Sequence, residues 1–152
     1  MGWRIVVGAD DAGQAYKDVL RDLLAADPRV DRVEDIGVAE GGSTAYPSIA
    51  VEAAERVAAG TADRAVLVCG TGLGMAIAAI KVRGIRAVTA HDSYSVERSI
   101  LSNDAHVLAL GARVIGLELA KRLVAEWLEY RFDPASPSAA KVDLIEKHEE
   151  TA

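Results

Sequence analysis

Two hydrophobic periodicities alternate along the chain. Short runs of mostly apolar residues, at Arg4–Gly8, Arg64–Cys69, Ile85–Ala90 and Val107–Leu110, read as strands, and Val30–Ile36 as a more polar strand near an edge. Between them the apolar positions shift to helical spacing. Ala12–Ala26 carries Tyr16, Val19, Leu20, Leu23 and Leu24 on one face and stops before Pro28. Pro47 opens a helix that runs to about Ala59, where Gly60 closes it. Met75–Lys81, Ser93–Ser102 and Leu117–Tyr130 complete the alternation. Asp133–Pro137 reads as a linker to a terminal helix, Ser138–Glu149. Strands and helices in turn predict one α/β domain over residues 1–152, a three-layer Rossmann-like fold on a five-stranded parallel sheet.

In such sheets a ligand lies beyond the carboxyl ends of the strands, where strand order reverses. The residues at those ends are therefore the candidates. Strand one ends in Ala9-Asp10-Asp11-Ala12-Gly13, strand three in Cys69-Gly70-Thr71-Gly72, strand four in His91-Asp92, and strand five in Gly111-Ala112-Arg113. In a flavodoxin-like order strands one and three are neighbours, which sets Asp10 and Cys69 across one crevice. Cys69 leads straight into Gly70-Thr71-Gly72-Leu73-Gly74 and a helix start. Strand, glycine turn and helix N-terminus form a nest of N–H groups that suits an anion, and they place a lone thiol at its lip. By itself a lone cysteine on an apolar strand is more often a small buried hydrophobe; the nest shifts that balance toward chemistry.

Several alternatives compete. The glycine loop falls one residue short of a dinucleotide fingerprint, sits on the third strand and lacks the Lys-Ser/Thr of a P-loop, so a tight anion-binding turn is the better reading. Of Asp10 and Asp11, one is expected to cap the first helix and the other to face the crevice. Asp92 is expected to cap Ser93–Ser102, and His91 is left open between structure and catalysis. Arg113, after a glycine at a strand end, suits a phosphate. Glu97 and Arg98 read as a solvated helix face.

Composition narrows the partners. The 152 residues carry a formal charge of −6, with 26% charged residues and one cysteine. An acidic chain points away from nucleic acid and anionic membranes, so an anionic substrate needs local donors. No apolar run approaches the roughly 18 residues of a membrane span. A single cysteine excludes an internal disulfide and suggests a reducing cytoplasm; no secretory leader is expected ahead of Trp3. His91, His106 and His148 are scattered and give no metal-ligand spacing.

Taken together these residues resemble the type B ribose-5-phosphate isomerase family, which includes galactose-6-phosphate isomerase subunits and tetrose-phosphate isomerases. Gly8-Ala9-Asp10-Asp11-Ala12-Gly13 corresponds to the family's opening motif, Cys69–Gly74 to its middle motif, Tyr46-Pro47 to a Tyr-Pro pair, and Gly84–Ala87 and Gly111–Gly116 to later segments. The resemblance implies aldose–ketose isomerisation of a small sugar phosphate through a cis-enediol(ate), without metal or organic cofactor. By analogy Cys69 is the base, the amides of Gly70, Gly72, Leu73 and Gly74 with Thr71 form the oxyanion hole, and Asp10 handles substrate hydroxyls. Asp11, Tyr46, His91, Ser102, Asn103, Arg113 and Lys141 are implied to line the substrate. One family branch uses a glutamate as base just after the last glycine; here that residue is Met75. A homodimer, or a tetramer built from it, is implied, with the terminal helix docking on the partner and both chains contributing to each site.

The departures bear on substrate. Ser102 replaces the family's ring-opening histidine, Asp11 replaces the opening-motif histidine, and two phosphate-gripping arginines fall near Ser136/Pro137 and at Lys141. A serine hydroxyl is no effective acid near neutral pH. A tetrose 4-phosphate has no ring to open, because its O4 is esterified. The stretch from His91 to Arg98, followed by Leu101-Ser102-Asn103, is also similar to erythrulose-4-phosphate isomerases. The favoured pair is thus erythrulose 4-phosphate and erythrose 4-phosphate; ribose 5-phosphate is the alternative, and a non-catalytic sugar-phosphate-binding module is the competing class.

Overall fold

The computed structural model describes residues 1–152. Five parallel strands, β1 (Trp3–Ala9), β2 (Val30–Asp35), β3 (Arg64–Cys69), β4 (Ala87–Thr89) and β5 (Val107–Gly111), lie in the order β2-β1-β3-β5-β4. The helices are α1 (Gln14–Ala25), α2 (Tyr46–Ala58), α3 (Leu73–Ile80), α4 (Ser93–Leu101), α5 (Leu117–Glu129) and α6 (Ala139–Thr151). No helix is long and apolar enough to cross a membrane.

Side-chain parity along the central strands sorts the core into two halves. Ile5, Val7 and Ala9 of β1, Val66 and Val68 of β3, and Leu108 and Leu110 of β5 pack with Leu20 and Leu24 of α1, Val96 and Ile100 of α4, and Leu123 and Trp127 of α5. The opposite positions, Val6, Ala65, Leu67, Cys69, Val107 and Ala109, meet Ile49, Ala50, Ala53 and Ala54 of α2 and Met75, Ala76 and Ala79 of α3. Alanines let α2 and α3 lie close to the sheet. Cys69 therefore points to the α2/α3 side, toward the glycine loop.

As expected, β1 and β3 are neighbours, with Ala9 registered against Val68. The last two strands are exchanged relative to a flavodoxin-like order: β5 pairs with β3, and β4 takes the edge. Burial explains the exchange. Every residue of β5 is buried, whereas β4 has three residues with two only half-buried. β4 is also shorter than the apolar run suggested, because Ile85 closes a turn onto Val82 instead of pairing.

α6 lies against its own chain. Gly84 N–H donates to Glu149 Oε2 (2.9 Å), Arg86 bridges to Glu146 Oε1 (2.8 Å), and Val142 is buried. Leu144 and Ile145 on α6 stay exposed.

Candidate active site

The carboxyl ends of β1, β3, β4 and β5 converge on the glycine loop. Cys69 is the last residue of β3 and is buried, with Sγ accepting from Gly72 N–H at 3.1 Å. Gly72 takes a left-handed conformation (φ 77°) as N-cap of α3, and a side chain there would run into the Leu110 backbone. The loop is held from β4 and from the turn after β5. Thr89 Oγ1 on β4 donates to Gly72 O (2.8 Å), Ala112 N–H to Cys69 O (2.9 Å) and Arg113 N–H to Gly70 O (3.0 Å). Thr71 Oγ1 accepts from Leu73 N–H (3.3 Å), so its hydroxyl proton is directed away from the loop backbone. The amides ahead of α3 thus surround the loop from which the thiol emerges, and their dipoles favour negative charge.

Arg113 lies over Gly70, where an added Cβ would come within 3.3 Å of its Nη1. It has no carboxylate partner, so its guanidinium is available to an anion. The Tyr46 ring, at the start of α2, packs directly on Gly74, which has no side chain to displace it. His91 Nε2 accepts from Gly111 N–H at 2.9 Å. Burial pushes the His91 pKa down, against the pull of the Asp92 carboxylate. Asp92 Oδ1 caps α4 through Ser95 N–H (2.7 Å), as expected.

At the end of β1 the expected division of labour between the two carboxylates is changed. Gly13 is the N-cap of α1 and no side chain caps that helix. Asp10 Oδ1 instead accepts from Gly13 N–H (3.1 Å), closing the turn, while Asp11 is exposed. The turn sits against β3 so closely that a Cβ at Gly13 would overlap Val68 O. Asp10 thus stands next to the Cys69 end of β3 because Ala9 and Val68 are register partners.

Not all the expected residues meet in one chain. α4 leaves the carboxyl end at Asp92 and runs back about 13 Å at 1.5 Å per residue, so Ser102 and Asn103 lie at the opposite end of the sheet. There Arg98 Nε donates to Ser102 Oγ (2.8 Å) and Arg86 Nε to Asn103 O (3.0 Å). Lys141 is exposed on α6, the helix tied to Arg83, Gly84 and Arg86. One residue of the site escapes a sequence reading: Thr89, a half-buried hydroxyl at a strand end; Gly111, expected at the end of its strand, lies so close to the loop that its Cβ would be 2.6 Å from Thr71 C. No group of three His, Cys, Asp or Glu side chains is placed to hold a metal ion.

Comparison with known proteins bears on the same residues. A family model described as Ribose/Galactose Isomerase matches residues 5–145. The D-erythrulose-4-phosphate isomerase 2 of Mycolicibacterium smegmatis is 64% identical over 148 residues, covering 95% of this chain and 96% of that protein. The ribose-5-P isomerase B of Listeria innocua is 44% identical, covering 95% of each. Among solved structures, the type B ribose 5-phosphate isomerase of Leishmania infantum superposes with a TM-score of 0.93 at 34% identity over 99% of both chains. The chain belongs to the ribose/galactose isomerase family and is an aldose–ketose isomerase of sugar phosphates.

Proposed function

We propose that the enzyme interconverts D-erythrulose 4-phosphate and D-erythrose 4-phosphate. The observation that carries the reading is the state of Ser102. Its hydroxyl is engaged by Arg98 and is no acid near neutral pH, so the site is suited to a substrate that needs no ring opening. The 64% identity to an erythrulose-4-phosphate isomerase agrees with it.

In this reading the Cys69 thiolate removes a proton from C1 of the ketose. The electron pair forms the C1–C2 double bond, and the C2 carbonyl oxygen becomes the enediolate oxygen. Amides of Gly70 and Gly74, with the Thr71 hydroxyl, face that charge, while those of Gly72 and Leu73, held by Cys69 Sγ and Thr71 Oγ1, join them only by turning from those partners. Return of the proton to C2, with loss of the O1 proton, gives the aldehyde. Asp10 passes protons between the substrate oxygens, Asp11, Tyr46 and His91 line the substrate, and Arg113 holds the phosphate. No cofactor takes part.

Two chains complete the site. Leu73, Ile77 and Ile80 form an apolar stripe on the outer face of α3, exposed to 58%, 62% and 47%. The stripe runs from the glycine loop toward the end of the sheet that carries Asn103 and α6. A two-fold axis across the middle of α3 would bring Ser102, Asn103 and Lys141 of a partner to the Cys69 end of this chain. Light scattering should give a dimer at micromolar concentration. Ile77→Asp should give a folded monomer with at least tenfold lower kcat/KM; a fully active monomer would refute the shared site.

Side-by-side kinetics test the substrate. kcat/KM on erythrulose 4-phosphate should exceed that on ribose 5-phosphate by roughly 10²–10⁴-fold, the usual worth of the missing acid catalysis. Ser102→His should narrow the gap. Equal or better efficiency on ribose 5-phosphate would defeat the tetrose reading. Failure to exchange solvent deuterium into any sugar phosphate would mean a binding module.

A further inference from the structure

The β4 strand is too short to pair with the whole of β5. Its register against β5 ends at Thr89↔Ala109, two residues before Gly111. Beyond that point the backbone of β4 supplies no acceptor on this side of β5, and a polar side chain takes its place. His91 Nε2 receives the Gly111 N–H at 2.9 Å. A peptide N–H can only donate, so Nε2 carries a lone pair and the ring proton of the neutral imidazole sits on Nδ1.

Gly111 is the pivot of the site. Its backbone presses on Thr71, where an added Cβ would lie 2.6 Å from the Thr71 carbonyl carbon and oxygen. The next two amides, Ala112 and Arg113, donate to the carbonyls of Cys69 and Gly70. From the same edge strand Thr89 grips Gly72 O. Thr89 at the end of β4 and His91 two residues beyond it thus act as a pair, one holding the β3–α3 loop and the other the β5–α5 turn that carries Arg113.

We propose that His91 is a positioning residue: a neutral acceptor that seats the Gly111–Arg113 turn against the Cys69–Gly72 loop, and does not donate a proton to substrate through Nε2. The proposal rests on the isomerase reading of the site and deepens it. A ring-opening acid would need its proton on the nitrogen that faces substrate, and Nε2 is committed to Gly111. With Nε2 committed to Gly111, the ring has only Nδ1 left to offer any other group. The burial that keeps this imidazole neutral has a purpose here, since protonation would set an N–H against an N–H.

Reach separates this role from others. The Oε1 of glutamine occupies the place of Nε2, the Oδ1 of asparagine that of Nδ1, and methionine matches glutamine in length without an oxygen acceptor. His91→Met should lower kcat/KM roughly 10–100-fold, the scale of a small misplacement of catalytic groups. His91→Gln should recover it to within a few-fold, and His91→Asn should not. Melting temperatures of the variants separate this from general unfolding. Long-range ¹H–¹⁵N spectra of the wild-type enzyme should find Nε2 unprotonated and Nδ1 protonated at pH 7, independently of any activity. A protonated Nε2, a His91→Met enzyme as efficient as wild type, or a His91→Gln enzyme no better than His91→Met would each overturn the proposal. Wild-type protein without isomerase activity would instead remove the reading beneath it, leaving the tautomer measurement to judge the hydrogen bond alone.

Discussion

The two ends of the sheet use the same kinds of residue in opposite ways. At the amino end the charges are consumed by the fold. Arg4 meets Asp63 (2.8 Å), Arg86 joins Asp104 (3.2 Å) to Glu146 (2.8 Å), and the Arg64 guanidinium donates to the carbonyls of Trp127 (3.0 Å) and Tyr130 (2.6 Å). Arg64 and Arg131 also stack on Trp3, 3.9 and 4.0 Å from its ring centroid. At the carboxyl end Lys17 and Arg21 pair with Asp35 beside β2, but around the thiol Arg113 and Asp11 have no ion-pair partner. Each end even has a histidine that accepts a backbone N–H: His91 from Gly111, and His106 Nδ1 from Arg86 N–H (3.1 Å). Polar groups left over after folding, rather than polar groups as such, mark the end at which we place the chemistry.

The sharpest way to break that contrast is to remove the thiol. Cys69→Ser should lower kcat/KM by at least roughly 10³-fold, since a serine hydroxyl is far less acidic than a thiol and general base catalysis alone contributes about 10²–10⁴. The melting temperature should stay close to wild type, because the change is nearly isosteric. Iodoacetamide should inactivate the wild type, and sugar phosphate should protect it. Near wild-type turnover in the serine variant would show that the carboxyl end owes its activity to another base.

Much of the contrast was legible in the sequence, and its limits have physical causes. Strand and helix periods located nearly every element, because each strand of a sheet covered on both faces is a compact apolar run. The Cys69–Gly74 segment announced itself through glycines that only close backbone approach requires. Strand order beyond β3 was not drawn from the sequence, although Ile85–Ala90 carries Arg86 and Thr89 where Val107–Leu110 is wholly apolar, a polarity that fits the edge position β4 takes. The role of Asp10 was half legible. An Asp-Asp pair before a helix suggests a cap, yet Gly13 takes that position and Asp10 closes the turn ahead of it. Ser102, Asn103 and Lys141 were grouped with Cys69 by resemblance alone, and the fold of one chain sets them at its far end. The separation was within reach of the periodicity, because a helix between two parallel strands runs back from their carboxyl to their amino end and so carries Ser102 away from Cys69.

At the amino end the largest expected effect is acid sensitivity. Burial pushes His106 down to about 4, with Arg86 adding to the shift. The unfolded chain therefore binds a proton that the folded chain refuses between about 6.5 and 4. Stability is complete above 6.5 and falls as the pH drops through that window, by roughly 3 kcal/mol at its lower end. Asp104, whose carboxyl is raised by burial, works in the opposite direction. His106→Asn keeps an acceptor in the place of Nδ1 and does not titrate. Urea unfolding of this variant should lose less stability than wild type between pH 6.5 and 4. Parallel curves would show that His106 is not the group that loosens this end.

The smallest effect expected is at Arg64, and it pits two forces against each other. The side chain is only 5% exposed, and burial lowers its pKa to about 10, so it remains charged at neutral pH at a desolvation cost. Against that cost stand two bonds to the last carbonyls of α5 and the stacking on Trp3 and Trp127. Arg64→Met would fill the same volume and remove the desolvation cost. It would also leave the Trp127 carbonyl with only the long bond from Tyr130 N–H (3.4 Å) and the Tyr130 carbonyl without a partner, a penalty of up to about 1–3 kcal/mol for each buried one. Tyr130 is half-buried and can turn to water, so one penalty dominates, and the two stacking contacts add about 1 kcal/mol. The net loss should be about 2 kcal/mol in urea unfolding. Because Arg64 begins β3 and Cys69 ends it, kcat/KM should stay within a few-fold of wild type. A variant as stable as wild type would mean that desolvation cancels the bonds. A variant with stability intact and activity lost would mean that the two ends of the sheet are not separate in function, and would break the comparison at its root.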